Sequence, residues 1–174
     1  MIQLLTLTEI EQYAEDLKTI YRQAFHYSEE ATAFLLQRIK NSDNAGLHTT
    51  VLAYIENDTV LGFVFGFDFH PENWWAQQIQ NRLPVDRDWY SHTFELNELA
   101  VLPSHQRKGI GRQLMEALIH SLSHTIILLG TAQTNNEHVI SLYQSLGFEN
   151  VIEDFRYQNE EYGVSIIMKY EKKS

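Results

Sequence analysis

Cysteine is absent from this 174-residue chain. Its absence excludes disulfides, thiolate zinc sites and a cysteine nucleophile. Proline is scarce, with 3 residues, and no Pro/Gly/Ser-rich linker, low-complexity run or internal repeat divides the chain. Residues 1–174 are therefore expected to form one domain, long enough to bury a core without staples. Long apolar runs are missing too. Nothing approaches the roughly 20 apolar residues needed to cross a bilayer. The opening Met1-Ile2-Gln3-Leu4-Leu5-Thr6 has neither a basic region nor an extended apolar segment, so no signal peptide is expected. A soluble, cytoplasmic protein is the expectation. Positive charge is the other shortage: 13 Lys and Arg stand against 23 Asp and Glu, a net charge of −10. A field of that sign repels nucleic acid and anionic membranes, so neither is an expected partner. It favours cationic substrates such as amines, or serves solubility alone.

What the chain does contain reads as alternating elements. Ile10, Tyr13, Ala14, Leu17, Ile20, Tyr21 and Ala24 have helical spacing over Thr8–Ala24, with Thr8 and Glu11 as a candidate capping box. A second helix is expected from Ser28 to Ile39, before a break at residues 41–46. His48–Glu56 and Thr59–Phe69 read as strands joined by an Asn57-Asp58 hairpin turn. The second is apolar on both faces and should be central. His70–Ser91 is a long excursion with all 3 tryptophans and a short helix near Trp74–Arg82. Loops of this length in compact domains are usually functional or disordered, and the tryptophans argue against disorder. A strand at His92–Leu102, a helix to Ser123, a buried strand at Thr125–Thr131, a helix at Asn136–Leu146 closed by Gly147, and a strand pair at Val151–Gln158 and Gly163–Tyr170 follow. This order predicts a mixed α/β (α+β) layer with helices on both sheet faces.

Residues 98–111, Glu98-Leu99-Ala100-Val101-Leu102-Pro103-Ser104-His105-Gln106-Arg107-Lys108-Gly109-Ile110-Gly111, carry the chemistry. A strand runs through a proline-marked turn and a basic glycine loop into a helix beginning near Arg112. Backbone N–H groups converge there, and the helix end adds roughly half a positive charge. A phosphate or pyrophosphate is the natural occupant. The loop lacks the G-x-x-x-x-G-K-[ST] order of nucleoside triphosphatases, because Lys108 precedes the glycine. It lacks the third glycine of the dinucleotide fingerprint, because Leu114 stands there.

The remaining pattern, Gln106-x-x-Gly109-x-Gly111, resembles the acetyl-CoA pyrophosphate loop of the GNAT superfamily, the GCN5-related N-acetyltransferases. Downstream, Asn136-Glu137-His138-Val139-Ile140-Ser141-Leu142-Tyr143-Gln144-Ser145-Leu146-Gly147-Phe148 is similar to the superfamily's N-x-x-A-x-x-[L/F]-Y-x-x-x-G-F, with Val139 in place of the alanine. Asn136, Ile140 and Tyr143 fall on one helix face. The resemblance covers about residues 48–170. It implies a central, mostly antiparallel twisted sheet splayed between its fourth and fifth strands. It implies acetyl-CoA as acyl donor, without a metal. Leu99, Ala100 and Val101 would offer backbone groups to pantetheine. The amides of Gln106, Arg107, Lys108, Gly109, Ile110, Gly111 and Arg112 would hold the pyrophosphate. Asn136 and Ile140 would contact the cofactor arm, and Tyr143 would sit near the thioester sulfur.

The implied activity is direct transfer of acetyl from acetyl-CoA to a primary amine, either a small cationic amine or an exposed protein amine. The alternative is an idle acyl-CoA sensor. A backbone N–H at Leu99 or Ala100 would serve the oxyanion. Tyr143 is the candidate acid; otherwise it is a helix aromatic packed on the sheet. Glu98 is the candidate base, with Glu95 beside it, and strand alternation puts the two on opposite faces unless a bulge intervenes. Glu98 otherwise binds the substrate ammonium or is a solvated charge, and a water relay can replace a single base. Phe25 and Tyr27 near a helix break, Glu95, and Trp74, Trp75, Trp89 and Tyr90 in the excursion are candidates for the acceptor side, the excursion rings as a pocket wall or as an aromatic cage for a cation. The tryptophans otherwise make a satellite core or a dimer contact. Homodimers are common in the superfamily, which leaves one as an expectation. His120 and His124 lack a third ligand at metal-type spacing.

Overall fold

In a computed structural model, which describes residues 1–173, Asn57 and Asp58 take φ of 51° and 60°. That left-handed pair makes the tight turn their composition predicts. Ser174, the last residue of the expected domain, lies outside the described residues. The turn joins β2 (Thr50–Glu56) to β3 (Thr59–Asp68), and the two pair antiparallel. Eight of the ten β3 residues are buried, as its apolar faces require. The sheet has seven strands in the order β1-β2-β3-β4-β5-β7-β6, where β1 is Ile2–Leu4, β4 Thr93–Val101, β5 Ile126–Ala132, β6 Glu149–Arg156 and β7 Val164–Glu171. Neighbours run antiparallel except β4 and β5. Their parallel ladder joins Thr93–Glu95 to Ile126–Leu128, three residues of a nine-residue strand. The fold is the mixed α/β arrangement expected.

The chain packs as two compact units. The first holds Met1–Phe67 and Leu96–Leu122. Its helices are α1 (Leu7–Gln12), α2 (Ala14–Phe25), α3 (Glu29–Asn44) and α5 (Ile110–Ser121). α2 buries Leu17, Ile20 and Tyr21, and α3 buries Leu35 and Ile39, at the spacing of one helix face. They close on Phe63 and Phe65 of β3. Fully burying one such side chain contributes about 1.5–3 kcal/mol.

The second unit holds Asp68–Glu95 and the described residues from Ser123 onward. It contains α4 (Trp74–Ile79), which ends in a 3-10 turn at Gln80–Arg82, and α6 (Glu137–Ser145). Ala76, Ile79, Leu83 and Trp89 of the excursion form a core with Phe69, Ile126, Leu128, Ile152, Phe155 and Ile167. Trp89 is thus a core residue, its indole N–H donating to Pro84 O at 2.7 Å. Of the tryptophan readings, the satellite core holds for Trp89 and, in part, for Trp75 packed against it.

Three elements differ from their sequence reading. The first helix starts earlier and is two helices that meet at Tyr13 (φ −97°, ψ 14°). Its capping box is Thr6 with Glu9, not Thr8 with Glu11. α3 runs on through Asn44, five residues past the expected stop. Strand β1 was not legible in the sequence.

Candidate active site

In the first unit, β4 ends at Val101 and a 3-10 turn (Pro103–His105) leads to Gln106. Arg107 and Gly109 have φ of 65° and 86°. Gly109 immediately precedes α5, and no side chain caps that helix. The first N–H groups of a helix have no acceptor inside it. The amides of Ile110, Gly111 and Arg112 therefore point out of the positive end of the α5 dipole. A Cβ built on Gly109 would meet, among the described residues, only Gln113 Nε2 at 3.8 Å. Gln106, Arg107, Lys108 and Arg112 are exposed around the loop. Open space over a left-handed glycine, convergent amides and basic side chains make a cradle that fits a pyrophosphate.

The strand feeding this loop has a specific edge. Leu102 N–H donates to Leu61 O at 2.9 Å, and Ala100 O lies against Gly62. Alternation then sends the backbone groups of Leu99 and Val101 to the opposite edge. Val101 O accepts there from Gln106 Nε2 at 3.0 Å. Phe69 N–H, which follows β3, donates to Thr93 O. Nine steps of chain from Thr93 to Leu102 thus face eight from Leu61 to Phe69, so β4 carries a bulge. Thr93 to Leu96 are all buried, and Asn97, Glu98 and Leu99 are all half-buried.

Glu98 is not a solvated edge charge. Its Oε1 accepts from Tyr21 O–H at 3.1 Å and from Arg38 Nη2 at 3.1 Å. Arg38 also donates to Tyr21 Oη at 3.0 Å and to Asn97 Oδ1 at 3.2 Å. Burial pushes the Glu98 carboxyl above its ordinary value, while the Arg38 charge and the two hydrogen bonds work against that rise. The Tyr21 phenol is pushed up by burial and by the Glu98 charge. Phe25 and Tyr27 close over this group: rings 21, 25 and 27 lie 5.0–5.5 Å apart, and His26 between them ends α2 with φ of 58°. The first unit therefore brings Glu98 together with Phe25 and Tyr27.

In the second unit, Asn136 precedes α6 and its Nδ2 donates to Thr131 Oγ1 at 2.9 Å and Ala132 O at 2.8 Å. These bonds fix the turn from β5 into α6. One and two turns on stand Ile140, half-buried, and Tyr143, buried with its ring 5.5 Å from Phe148. The same unit brings Glu95 to the tryptophan excursion. Glu95 is buried and accepts from Asn73 Nδ2 at 3.0 Å. Trp75 Nε1 donates to Tyr157 Oη at 2.9 Å, and Trp74 stacks on Tyr157 at 5.7 Å.

A model of the acetyltransferase (GNAT) family matches residues 11–148. The chain belongs to the acetyltransferase (GNAT) family. A GCN5-like protein acetyltransferase of Mycobacterium tuberculosis is 31% identical over 125 residues, which are 66% of this chain and 60% of that protein. The chain thus spans less than two thirds of that relative's length. Among solved structures, the ribosomal-protein-alanine N-acetyltransferase of Brucella melitensis superposes with a TM-score of 0.68 at 19% identity, over 99% of each chain. An aminoglycoside 6'-N-acetyltransferase complexed with coenzyme A gives 0.67 at 18%, over 98% of this chain and 96% of that one. At such identity the likeness is one of GNAT fold. The GNAT motifs gave the loop and the α6 face. They did not give Tyr21, Arg38, Asn73 or Tyr157. In the sequence Tyr21 reads only as an apolar helix position and Arg38 only as part of the second helix, and the last two lie among polar excursion and strand residues.

Proposed function

We propose that this protein is an N-acetyltransferase that takes an acetyl group from acetyl-CoA and places it on a primary amine by direct attack in a ternary complex. The single observation that carries the reading is the cradle at Gln106–Arg112, with its left-handed Arg107 and Gly109 and uncapped α5. It suits the CoA pyrophosphate. Leu99 and Val101 offer backbone groups to the pantetheine arm, whereas Ala100, expected to share that role, turns its carbonyl to Gly62 of β3; Asn136, just before α6, and Ile140 and Tyr143 on it bind the cofactor. When bound, the thioester supplies an activated acetyl carbonyl. The Leu99 N–H, on the strand edge away from β3, is the donor suited to the carbonyl oxygen as charge develops on it. The attacking amine must be neutral. Glu98, raised by burial yet close to Arg38, takes its proton directly or through water. The Tyr143 O–H protonates the departing sulfur. Residues 1–173 work in this reading as one catalytic domain.

Release of free CoA, followed with a thiol reagent across a panel of amines, tests the activity. Tyr143→Phe is expected to lower kcat by about a hundredfold or more with acetyl-CoA affinity, measured by calorimetry, unchanged. Undiminished turnover would remove Tyr143 as the acid. Acetyl-CoA binding without CoA release for any amine would make the protein an idle acyl-CoA sensor.

A further inference from the structure

Glu98 is held by one oxygen only. Its Oε1 accepts from the Tyr21 O–H and from Arg38 Nη2, each at 3.1 Å. No other described group bonds the carboxylate, and its side chain keeps 15% exposure. Two donors fill the lone pairs of Oε1, and those of Oε2 stay open.

The hold comes from two helices and closes on itself. Tyr21, buried on α2, also accepts from Arg38 Nη2 of α3 at 3.0 Å. Each of the three groups therefore bonds the other two. The guanidinium donates a further bond, from Nη1 to Asn97 Oδ1 at 3.2 Å. Consecutive residues of a regular strand point to opposite faces, yet one guanidinium takes both Asn97 and Glu98. The bulge in β4 allows it. Tyr21 is not itself a base. Burial and the Glu98 charge push its phenol up, so it keeps its proton and stays a donor to Oε1.

We propose that Tyr21 and Arg38 are positioning residues of the transfer reaction, which clamp Glu98 by Oε1 and present Oε2 to the attacking amine. The proposal rests on the acetyltransferase reading with Glu98 as base. As the nitrogen lone pair forms the C–N bond, one N–H proton passes to Oε2, directly or through a water. The C–S electron pair leaves with sulfur, which Tyr143 protonates. The clamp also resets the base. Once Oε2 is protonated, the half-buried Arg38 has lost its compensating charge, and that drives the proton off again.

The test uses the full chain carrying Tyr21→Phe, Glu98→Gln or both. Phenylalanine keeps the ring packing against Phe25 and Tyr27, 5.5 and 5.0 Å away, and removes only the hydroxyl; circular dichroism checks the fold. With an amine that yields CoA, Tyr21→Phe is expected to lower kcat roughly five- to fiftyfold with KM unchanged. It should also raise the acidic limb of kcat/KM. The rise should be smaller than in Arg38→Met, because the Arg38 charge acts on Glu98 more strongly than the Tyr21 bond does. Added to Glu98→Gln, the same change should lower kcat by less than about twofold, because the hydroxyl acts only through the carboxylate. The Glu98 carboxyl signal, followed by carbon-13 NMR and assigned by its loss in Glu98→Gln, should titrate at higher pH in Tyr21→Phe. Undiminished kcat in Tyr21→Phe, losses that multiply in the double variant, or an unmoved Glu98 titration would each overturn the proposal. A wild-type protein that releases no CoA removes the transferase reading instead, and the Glu98 titration, which needs no turnover, then decides the clamp by itself.

Discussion

A carboxylate that serves as base must be ionised when the amine arrives. Glu98, the base in the proposed reaction, would have to meet that demand under opposed influences. Burial raises its carboxyl, and Arg38 with the Tyr21 and Arg38 hydrogen bonds restrains the rise. The sign for activity follows directly. The ionised form is lost as pH falls through the folded pKa, and that pKa lies above the ordinary carboxylate value. The acidic limb of kcat/KM should therefore sit above the usual Glu range. Arg38→Met removes the restraint and should move the limb higher still; Glu98→Gln should abolish it and lower kcat. One amine used for all three proteins cancels that amine's own titration. A limb that stays in place in Arg38→Met would show that Glu98 is not the group titrating. The pair was illegible in the sequence for a plain reason: Tyr21 and Arg38 lie 77 and 60 residues from Glu98. No spacing rule reaches that far. Glu98 itself was legible because it adjoins the glycine loop.

At the scale of elements, the loop's position depends on how closely three segments approach. A Cβ on Gly62 of β3 would stand 3.1 Å from Ala100 O, 3.1 Å from Ile110 Cγ2 and 3.2 Å from Val101 Cγ2. The first is backbone and cannot swing aside. Gly62→Val should displace the end of β4 and the start of α5 together. The expected cost is about 1–3 kcal/mol of stability, read as a lower Tm, with weakened acetyl-CoA binding. Unchanged melting and affinity would mean that this contact does not position the cradle. Periodicity foresaw most elements here, and its failures have physical causes. Thr6–Glu9 and Thr8–Glu11 share the capping-box spacing. Tertiary pairing chose the first, since Leu5 N–H is still bonded to Val51 O and the chain leaves the sheet there. The Tyr13 break leaves Ile10, Leu17 and Ile20 buried, so an apolar pattern cannot reveal it. Residues 41–44 stay helical because Ser42 is buried with its hydroxyl on Ile39 O and Thr49, a partner beyond any local turn signal. Strand β1 has only 3 residues at a sheet edge, too short to alternate.

For the whole molecule, the charge of −10 would act with opposite sign on the two substrates of the proposed reaction. A cationic amine would be drawn in by the general field, while acetyl-CoA, an anion, would meet repulsion everywhere but at the local Arg107, Lys108 and Arg112. Charges on the surface interact over a Debye length of about 10 Å at 0.1 M salt. Raising salt through that range should lower kcat/KM for a diamine severalfold, because capture of a cation loses its steering. The on-rate of acetyl-CoA should change far less, since the long-range repulsion and the short-range attraction of the loop are screened together. Stopped-flow binding and initial rates at low amine concentration measure the two separately. Equal salt dependence for a diamine and a neutral-side-chain monoamine would show that the acidic surface serves solubility alone. A steeper dependence for the diamine would show that the second charge is read by the protein before the first nitrogen reacts.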